Sequence, residues 1–262
     1  MAINKEFWDN RVRKYGHTGW KDYDIYAYDQ CARLKAIEKI IDSLDCQREF
    51  ALDFGTGVGD FANLLAQTFN KVYAFDISQE VLNVAKKKYG HIKNINFIDG
   101  NSITDVKLED KSLDIILSIT VLDHILDDNE LSKTIGWFGE KISDRGYIVI
   151  LEYALPSKML KSDYQRYWLF DEWLSLFSDF DFHLIQQYGF NHPKFSPCKS
   201  YSIYNKSWQT KFFRLICRYF GHIKSTESHL DDFAERILRE YSDFLWKGRS
   251  SDILKIMIYQ KS

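Results

Sequence analysis

Apolar and polar positions along this chain follow two rhythms that alternate. Leu34, Ile37, Ile40, Ile41 and Leu44 recur at three-and-four spacing within residues 31–44, which predicts an amphipathic helix with one face packed on the core. Phe50 to Phe54 then reads as a short buried strand running into a glycine cluster. Asp60 to Phe69 returns to the helical rhythm, with Phe61, Leu64, Leu65 and Phe69 on one side. Val72 to Phe75 is a second strand ending at Asp76, followed by a helix from Gln79 to Tyr89 with Ser78 as its N-cap. Ile95 to Ile98 is a third strand. Leu113 to Ile119 is almost continuously apolar, the pattern of a strand covered on both faces of a parallel sheet. Thr120 to Leu126 reads as a loop or short helix, Asn129 to Ile142 as a helix, and Tyr147 to Glu152 as a fifth strand. Five strands alternating with helices predict an α/β fold with a doubly wound sheet.

The pattern loosens after Glu152. A helix is expected from Phe170 to Phe180, a strand from Phe182 to Tyr188, and a last strand from Ile253 to Tyr259. Roughly sixty residues separate the last two, too many for a plain loop in a compact domain. Ser207 to Tyr219 and Leu230 to Trp246 show helical spacing, so a C-terminal helical insertion is expected over about residues 205–250. The whole chain, 1–262, reads as one domain: an N-terminal helical and aromatic segment (1–45), a ligand-binding core (46–155) and a substrate-side half (156–262).

Composition narrows the function classes. Charged residues make up 27% and the net charge is −2, so no global positive field exists to hold a nucleic-acid backbone, and a nucleic-acid partner is disfavoured. The most basic stretch, Lys199 to Lys224, is read as the solvated faces of helices. Cys31, Cys46, Cys198 and Cys217 lie far apart with no CxxC and no histidine at zinc spacing, so neither a metal site nor a disulfide framework is expected. Met1 to Asp9 carries Lys5, Glu6 and Asp9 and lacks an apolar core. No run approaches about 18 apolar residues, and a cytoplasmic protein without a membrane anchor is expected. Aromatic content is high, at 16%, and is concentrated before Tyr28 and from Tyr153 onward, flanking an aliphatic middle.

The chemistry-bearing residues cluster at strand ends. Asp53-Phe54-Gly55-Thr56-Gly57-Val58-Gly59 joins the first strand to its helix. Glycines there permit a tight turn and let a ligand approach the backbone. The dinucleotide fingerprint GxGxxG would need glycine at position 60, where this chain has Asp60, and this departure disfavours a nicotinamide-dependent oxidoreductase. About twenty residues on, Asp76 stands where a carboxylate accepts hydrogen bonds from ribose hydroxyls. Asp99-Gly100-Asn101-Ser102 follows the third strand, where Asn101 either offers its amide carbonyl to an adenine amino group or shapes an Asx turn.

Taken together, ALDFGTGVGDFA (51–62), VYAFDIS (72–78), FIDGN (97–101) and SLDIILSITVLDHI (112–125) resemble the successive motifs of class I, Rossmann-like S-adenosylmethionine-dependent methyltransferases. The resemblance covers residues 50–152. It implies a seven-stranded sheet whose last strand is antiparallel, an N-terminal lid drawn from the aromatic segment Trp8 to Gln30, and S-adenosylmethionine as cofactor with S-adenosylhomocysteine as product. It further implies that Gly55, Thr56, Gly57 and Gly59 hold the methionine part, with Asp53 orienting its amino group. Asp76 and Ile77 would hold the ribose, and Gly100, Asn101 and Ser102 the adenine, although the family more often has Asp at the position of Asn101. Ser118 and Ile119 would line the cleft near the sulfonium. His124, just past the fourth strand, is either a general base toward the acceptor or a histidine that packs locally; Asp123 beside it reads as a cap. Ser118-Ile119-Thr120-Val121 stands where an Asn-Pro-Pro-Tyr-type signature would mark methylation of nucleic-acid amino groups. The expectation is therefore methyl transfer to oxygen, nitrogen or carbon of a small molecule; a non-catalytic S-adenosylmethionine-binding protein is the further alternative.

Overall fold

The computed structural model describes residues 2–156, 160–190 and 254–261. The chain divides into two compact units. One comprises Met1–Thr18, Asp45–Gln187 and Ile253–Ser262; the other comprises Gly19–Leu44 and Tyr188–Asp252. The expected helices of residues 205–250, the basic stretch, Cys198 and Cys217 lie outside the described residues.

In the first unit, β1 (Phe50–Phe54), β2 (Lys71–Asp76), β3 (Ile95–Asp99), β4 (Leu113–Ile119) and β5 (Ile142–Leu155) form a parallel sheet in the order β3-β2-β1-β4-β5. All seven residues of β4 are buried, as its unbroken apolar run requires of a strand covered on both faces. Strand order reverses between β1 and β4. In open α/β sheets the carboxyl ends of the strands at such a reversal border the ligand crevice.

β9 (Leu254–Lys261) runs antiparallel to β5, from Tyr147 opposite Gln260 to Tyr153 opposite Leu254, and β8 (Phe182–Gly189) pairs with β9. These seven strands give the expected sheet with an antiparallel last strand. The sequence did not predict β6 (Leu160–Lys161) and β7 (Arg166–Leu169). β5 continues past Glu152, and there Ala154 and Leu155 pair in parallel with Trp168 and Leu169. The indole Nε1 of Trp173, in α6 (Phe170–Ser178), donates to the Tyr153 carbonyl at 2.9 Å and fixes that extension.

Helices flank the sheet. α3 (Asp60–Leu65) is shorter than expected: Ala66 N–H closes onto the Ala62 carbonyl, and the chain then turns so that Phe69 is buried. α4 (Gln79–Tyr89) begins as predicted, with the Ser78 hydroxyl accepting from Val81 N–H. α5 (Asp128–Lys141) is capped by Asp127 through Glu130 N–H. Between β4 and α5 the expected loop or short helix is a single 3-10 turn, Leu122–His124. An N-terminal helix, α1 (Ala2–Tyr15), packs against α4, with Val12 buried against Val58 and Val81. It lies in the segment expected to be helical, although its apolar spacing is too sparse to have given its bounds.

The second unit holds α2 (Tyr23–Ser43), which starts eight residues before the stretch that the periodicity marks. Asp29 accepts from the Trp20 indole at 3.0 Å and pairs with Arg33 at 2.8 Å, and Ile37, Ile40 and Ile41 are buried. Among the described residues no helix is long and apolar enough to cross a membrane.

Candidate functional site

β1 delivers Asp53 to the carboxyl edge of the sheet, and the chain then turns sharply. Gly55 and Gly57 have φ of +71° and +56°, a region that side chains disfavour. At Gly55 a Cβ would also stand 2.4 Å from a Val121 methyl, so the glycine is required by close approach as well. Gly55 N–H and Thr56 N–H both donate to the Phe75 carbonyl at 2.8 Å, which folds the turn onto the end of β2.

Two buried carboxylates lie beneath this turn. Asp53 Oδ2 accepts from the Thr56 hydroxyl at 2.6 Å. Asp76 Oδ2 accepts from Gly57 N–H at 3.0 Å, and its Oδ1 from Ser78 N–H at 2.9 Å. Burial dominates their electrostatics: it pushes the Asp53 carboxyl up to about 7, against the Thr56 hydrogen bond, and the Asp76 carboxyl up to about 6, against the backbone donors of Ser78 and Gly57. Each carboxylate has acceptor sites beyond those in use, so both retain capacity for a ligand's ammonium or hydroxyl donors.

α1 lies against this cradle. The Ser78 hydroxyl donates to Asp9, Arg11 Nε donates to the Thr18 carbonyl at 2.8 Å, and Thr18 Oγ1 stands 3.1 Å from where a Cβ on Gly57 would be. The sequence pointed to aromatic residues in this segment; the contacts to the cradle are made by Asp9, Val12 and Thr18.

One strand over, Ser118 and Ile119 are buried at the end of β4, and the Ser118 hydroxyl has no hydrogen-bond partner. The chain then passes through Thr120, whose φ of +54° is unusual for a β-branched residue. Three contacts hold this turn: Thr120 N–H donates to the Leu151 carbonyl at 2.8 Å, while Val121 and Leu122 N–H both donate to Glu152 Oε1 at 2.9 Å. Asp123 is fully buried and accepts through Oδ2 from the Gln165 amide at 2.5 Å.

His124 faces the segment before β7. Its Nδ1 lies 2.6 Å from the Tyr164 carbonyl, which only accepts, so Nδ1 carries the proton in the neutral ring and Nε2 the lone pair. Nε2 is 3.6 Å from Asp123 Oδ1. Trp8 meets the imidazole edge-on at 4.9 Å, and Phe7 stacks on Tyr164 at 5.0 Å, so α1 also borders this second cluster. Burial, and then the charge of Asp123, raise the Glu152 carboxyl well above the usual range.

The structure thus unites Asp53, Gly55, Thr56, Gly57, Gly59 and Asp76 in one hydrogen-bonded turn. Ile77 is partly buried on the main core. At the end of β3, Gly100 packs near the Phe75 ring and Asn101 is exposed. Ser102 accepts from Thr104 N–H and so caps a short 3-10 turn. Asp123, which the sequence suggested as a cap, is instead buried against Gln165. Glu152 and Gln165 went unnoticed; the only signal was a glutamate closing an otherwise apolar strand.

Residues 52–136 match the family described as "Methyltransferase domain". This segment, which includes the glycine turn and the ends of β1, β2 and β4, is similar to methyltransferase domains. At the glycine turn this match favours S-adenosylmethionine over a nicotinamide as the cofactor. The domain is similar to the ribosomal RNA small subunit methyltransferase A of Borreliella burgdorferi, at 27% identity over 116 residues covering 41% of each chain. It is also similar to phosphoethanolamine N-methyltransferase 1 of Arabidopsis thaliana, at 33% identity over 106 residues, 38% of this chain and 21% of that one. The matched part thus spans less than half the length of these relatives. A TehB-like S-adenosylmethionine-dependent methyltransferase from Corynebacterium glutamicum shares the fold, with a TM-score of 0.54 at 14% identity over the full length of both chains.

The residues present fit the cofactor. Asp53 and Asp76 supply buried carboxylates with unused acceptor sites, the chemistry that an ammonium and ribose hydroxyls need, and among the described residues the buried Ser118 hydroxyl on the same edge of the sheet lacks a partner.

Proposed function

We propose that this chain is an S-adenosylmethionine-dependent methyltransferase acting on oxygen, nitrogen or carbon of a small molecule. The observation that carries the reading is the buried Asp53–Thr56 and Gly57–Asp76 cradle, which lies within the segment matching the methyltransferase domain. S-adenosylmethionine supplies a methyl group already activated on a sulfonium, so the protein's task is alignment and, where needed, removal of a proton.

In this reading Asp53 holds the cofactor's amino group, Asp76 with Ile77 the ribose, and Gly100 to Ser102 the adenine. Ser118 and Ile119 wall the cleft beneath the methyl. His124 is the base: Nδ1–H is committed to the Tyr164 carbonyl, so a proton released by the acceptor is received at Nε2, where Asp123 faces the resulting imidazolium. A net charge of −2 supports a small acceptor over a polynucleotide. The similarity to a ribosomal RNA methyltransferase favours the polynucleotide, and the two are separated by assay.

Isothermal titration with S-adenosylmethionine, S-adenosylhomocysteine and NADH, on the wild type and Asp76→Ala, tests the cofactor. The expected result is a Kd on the order of micromolar for the two sulfur ligands, weakened about 30-fold or more in the variant, and no heat with NADH. Binding of NADH alone would overturn the reading. Radiolabelled methyl transfer to small amines and hydroxy compounds is expected. Label appearing only in ribosomal RNA would replace the small-molecule acceptor, and cofactor binding with no transfer to either class would favour the non-catalytic alternative.

A further inference from the structure

The turn that carries His124 rests on two buried carboxyl groups from different parts of the chain. Glu152, at 0% exposure, spends Oε1 on the N–H groups of Val121 and Leu122, leaving Oε2 with no partner. Asp123, also at 0% exposure, spends Oδ2 on Gln165, leaving Oδ1 without a hydrogen-bond partner and 3.6 Å from His124 Nε2. A buried acceptor left bare is costly, and two like charges in one dry site are costlier still.

Other charged groups around the pair are engaged elsewhere. On β9, Lys255 stands in register with Glu152, but its ammonium lies over the Phe170 ring at 5.6 Å. At the start of β7, Arg166 pairs with Asp128 and lies 3.6 Å over the Trp168 ring. Gln165 is neutral, and among the described residues the His124 imidazole, 3.6 Å from Asp123 Oδ1, is the other titratable group beside the pair. No cation among these is placed to neutralise both carboxylates.

We propose that Asp123 and Glu152 hold one proton between them, so that the pair presents a single negative charge to His124 Nε2 and acts as its positioning device. The proton removes one of the two buried charges, while Glu152 Oε1 anchors the backbone of the turn. The remaining charge, on the His124 side, favours the imidazolium that forms when Nε2 takes a proton. The upward push on the Glu152 carboxyl from burial and from Asp123 runs in the same direction. Protons in such a pair belong to the pair and not to either residue. The part played in methyl transfer rests on the function proposed above; the shared proton does not.

The test uses the full chain without cofactor. The titration of the His124 ring is followed by NMR in the wild type, Glu152→Gln, Asp123→Asn and the double variant, with circular dichroism to establish folding. Both single substitutions keep the accepting oxygen on which Leu122 N–H or Gln165 depends. If one proton is shared, Glu152→Gln leaves the pair's charge unchanged and the His124 midpoint stays within about 0.3 units. Asp123→Asn moves the remaining charge away and lowers the midpoint by about one unit, and the double variant lowers it at least as far. A comparable drop in both single variants means two charges in the wild type and overturns the proposal. No drop in Asp123→Asn or in the double variant means no charge, and overturns it as well. The infrared difference between wild type and Glu152→Gln at neutral pH should show a buried carboxylic acid band, to which the Asp53 carboxyl, common to both, does not contribute; absence of that band is a second route to refutation. These outcomes stand whether or not the chain binds S-adenosylmethionine.

Discussion

The ends of β1 and β2 and the ends of β4 and β5 lie on the same edge of one sheet, yet they are built differently. At the first, the buried polar groups that form the site come mainly from one loop and the strand beside it, and they satisfy each other: Thr56 on Asp53, Gly57 and Ser78 on Asp76. At the second, Asp123, Glu152 and Ser118 are buried with acceptor or donor capacity unmet, and the groups that meet Asp123 and His124 there, Gln165 on the first and Tyr164 and Trp8 on the second, come from distant parts of the chain. A cradle for an invariant cofactor can be closed on itself in advance. On the function proposed above, the second end handles the acceptor and its proton and so keeps polar capacity in reserve, which only fixed packing around it makes tolerable.

The sharpest way to break the comparison is at the closed end. Gly55→Ala places a Cβ at φ of +71° and 2.4 Å from a Val121 methyl, so it strains the cofactor loop and displaces the turn after β4. A loss of about 3 kcal/mol or more in denaturant unfolding, with cofactor binding reduced about 100-fold, is expected. Retention of both would mean the two ends are not locked together through that contact.

A smaller effect should appear in the pH dependence of stability without cofactor. Burial holds the folded Asp53 carboxyl near 7 against an ordinary 3.8, so the folded protein keeps a proton that the unfolded chain has released. The native state binds more protons in this window, and stability falls as pH rises from about 4 to 7. Asp53→Asn should flatten that slope and raise stability at pH 8 by on the order of a few kcal/mol, while weakening cofactor binding. Asp76, shifted up to about 6, leaves a residual slope of the same sign. An unchanged slope in Asp53→Asn would show that Asp53 is not the group responsible.

The smallest effect sharpens the comparison from the other side. Trp8→Ala removes the ring that meets His124 edge-on but leaves Asp9, Val12 and the cradle in place. Cofactor Kd should stay within about threefold, with melting lowered by only a few degrees, while turnover of an accepted substrate drops about tenfold. An equal loss in cofactor affinity would show that α1 serves the two sites as one body.

Much of the first site was legible in the sequence because its parts lie close together along the chain. A strand's apolar run, three glycines and a carboxylate at the next strand end occupy residues 50–76, and short-range spacing conveys such an arrangement. The strands were legible for a related reason: burial on both faces demands continuous apolar runs, as β4 shows at every position. A helical N-terminal segment was expected, but the bounds of α1 were not legible, because a helix of which mainly Val12 and parts of Trp8 and Phe7 are covered has little periodicity to reveal. β7 was not legible either, because its pairing to Ala154 and Leu155 involves only two residues.

By itself, then, the sequence determined the five parallel strands with the helices between them, the doubly wound sheet, and the glycine turn between two strand-end carboxylates, since each depends on residue types at fixed local spacing. Tertiary structure alone decided that Glu152 reaches back to the turn after β4, that Gln165 and Tyr164 meet Asp123 and His124 from about forty residues away, and that α1 borders both clusters. Those contacts arise from how β5 and its neighbours lie beside β4, a through-space arrangement that no local pattern of polar and apolar residues encodes.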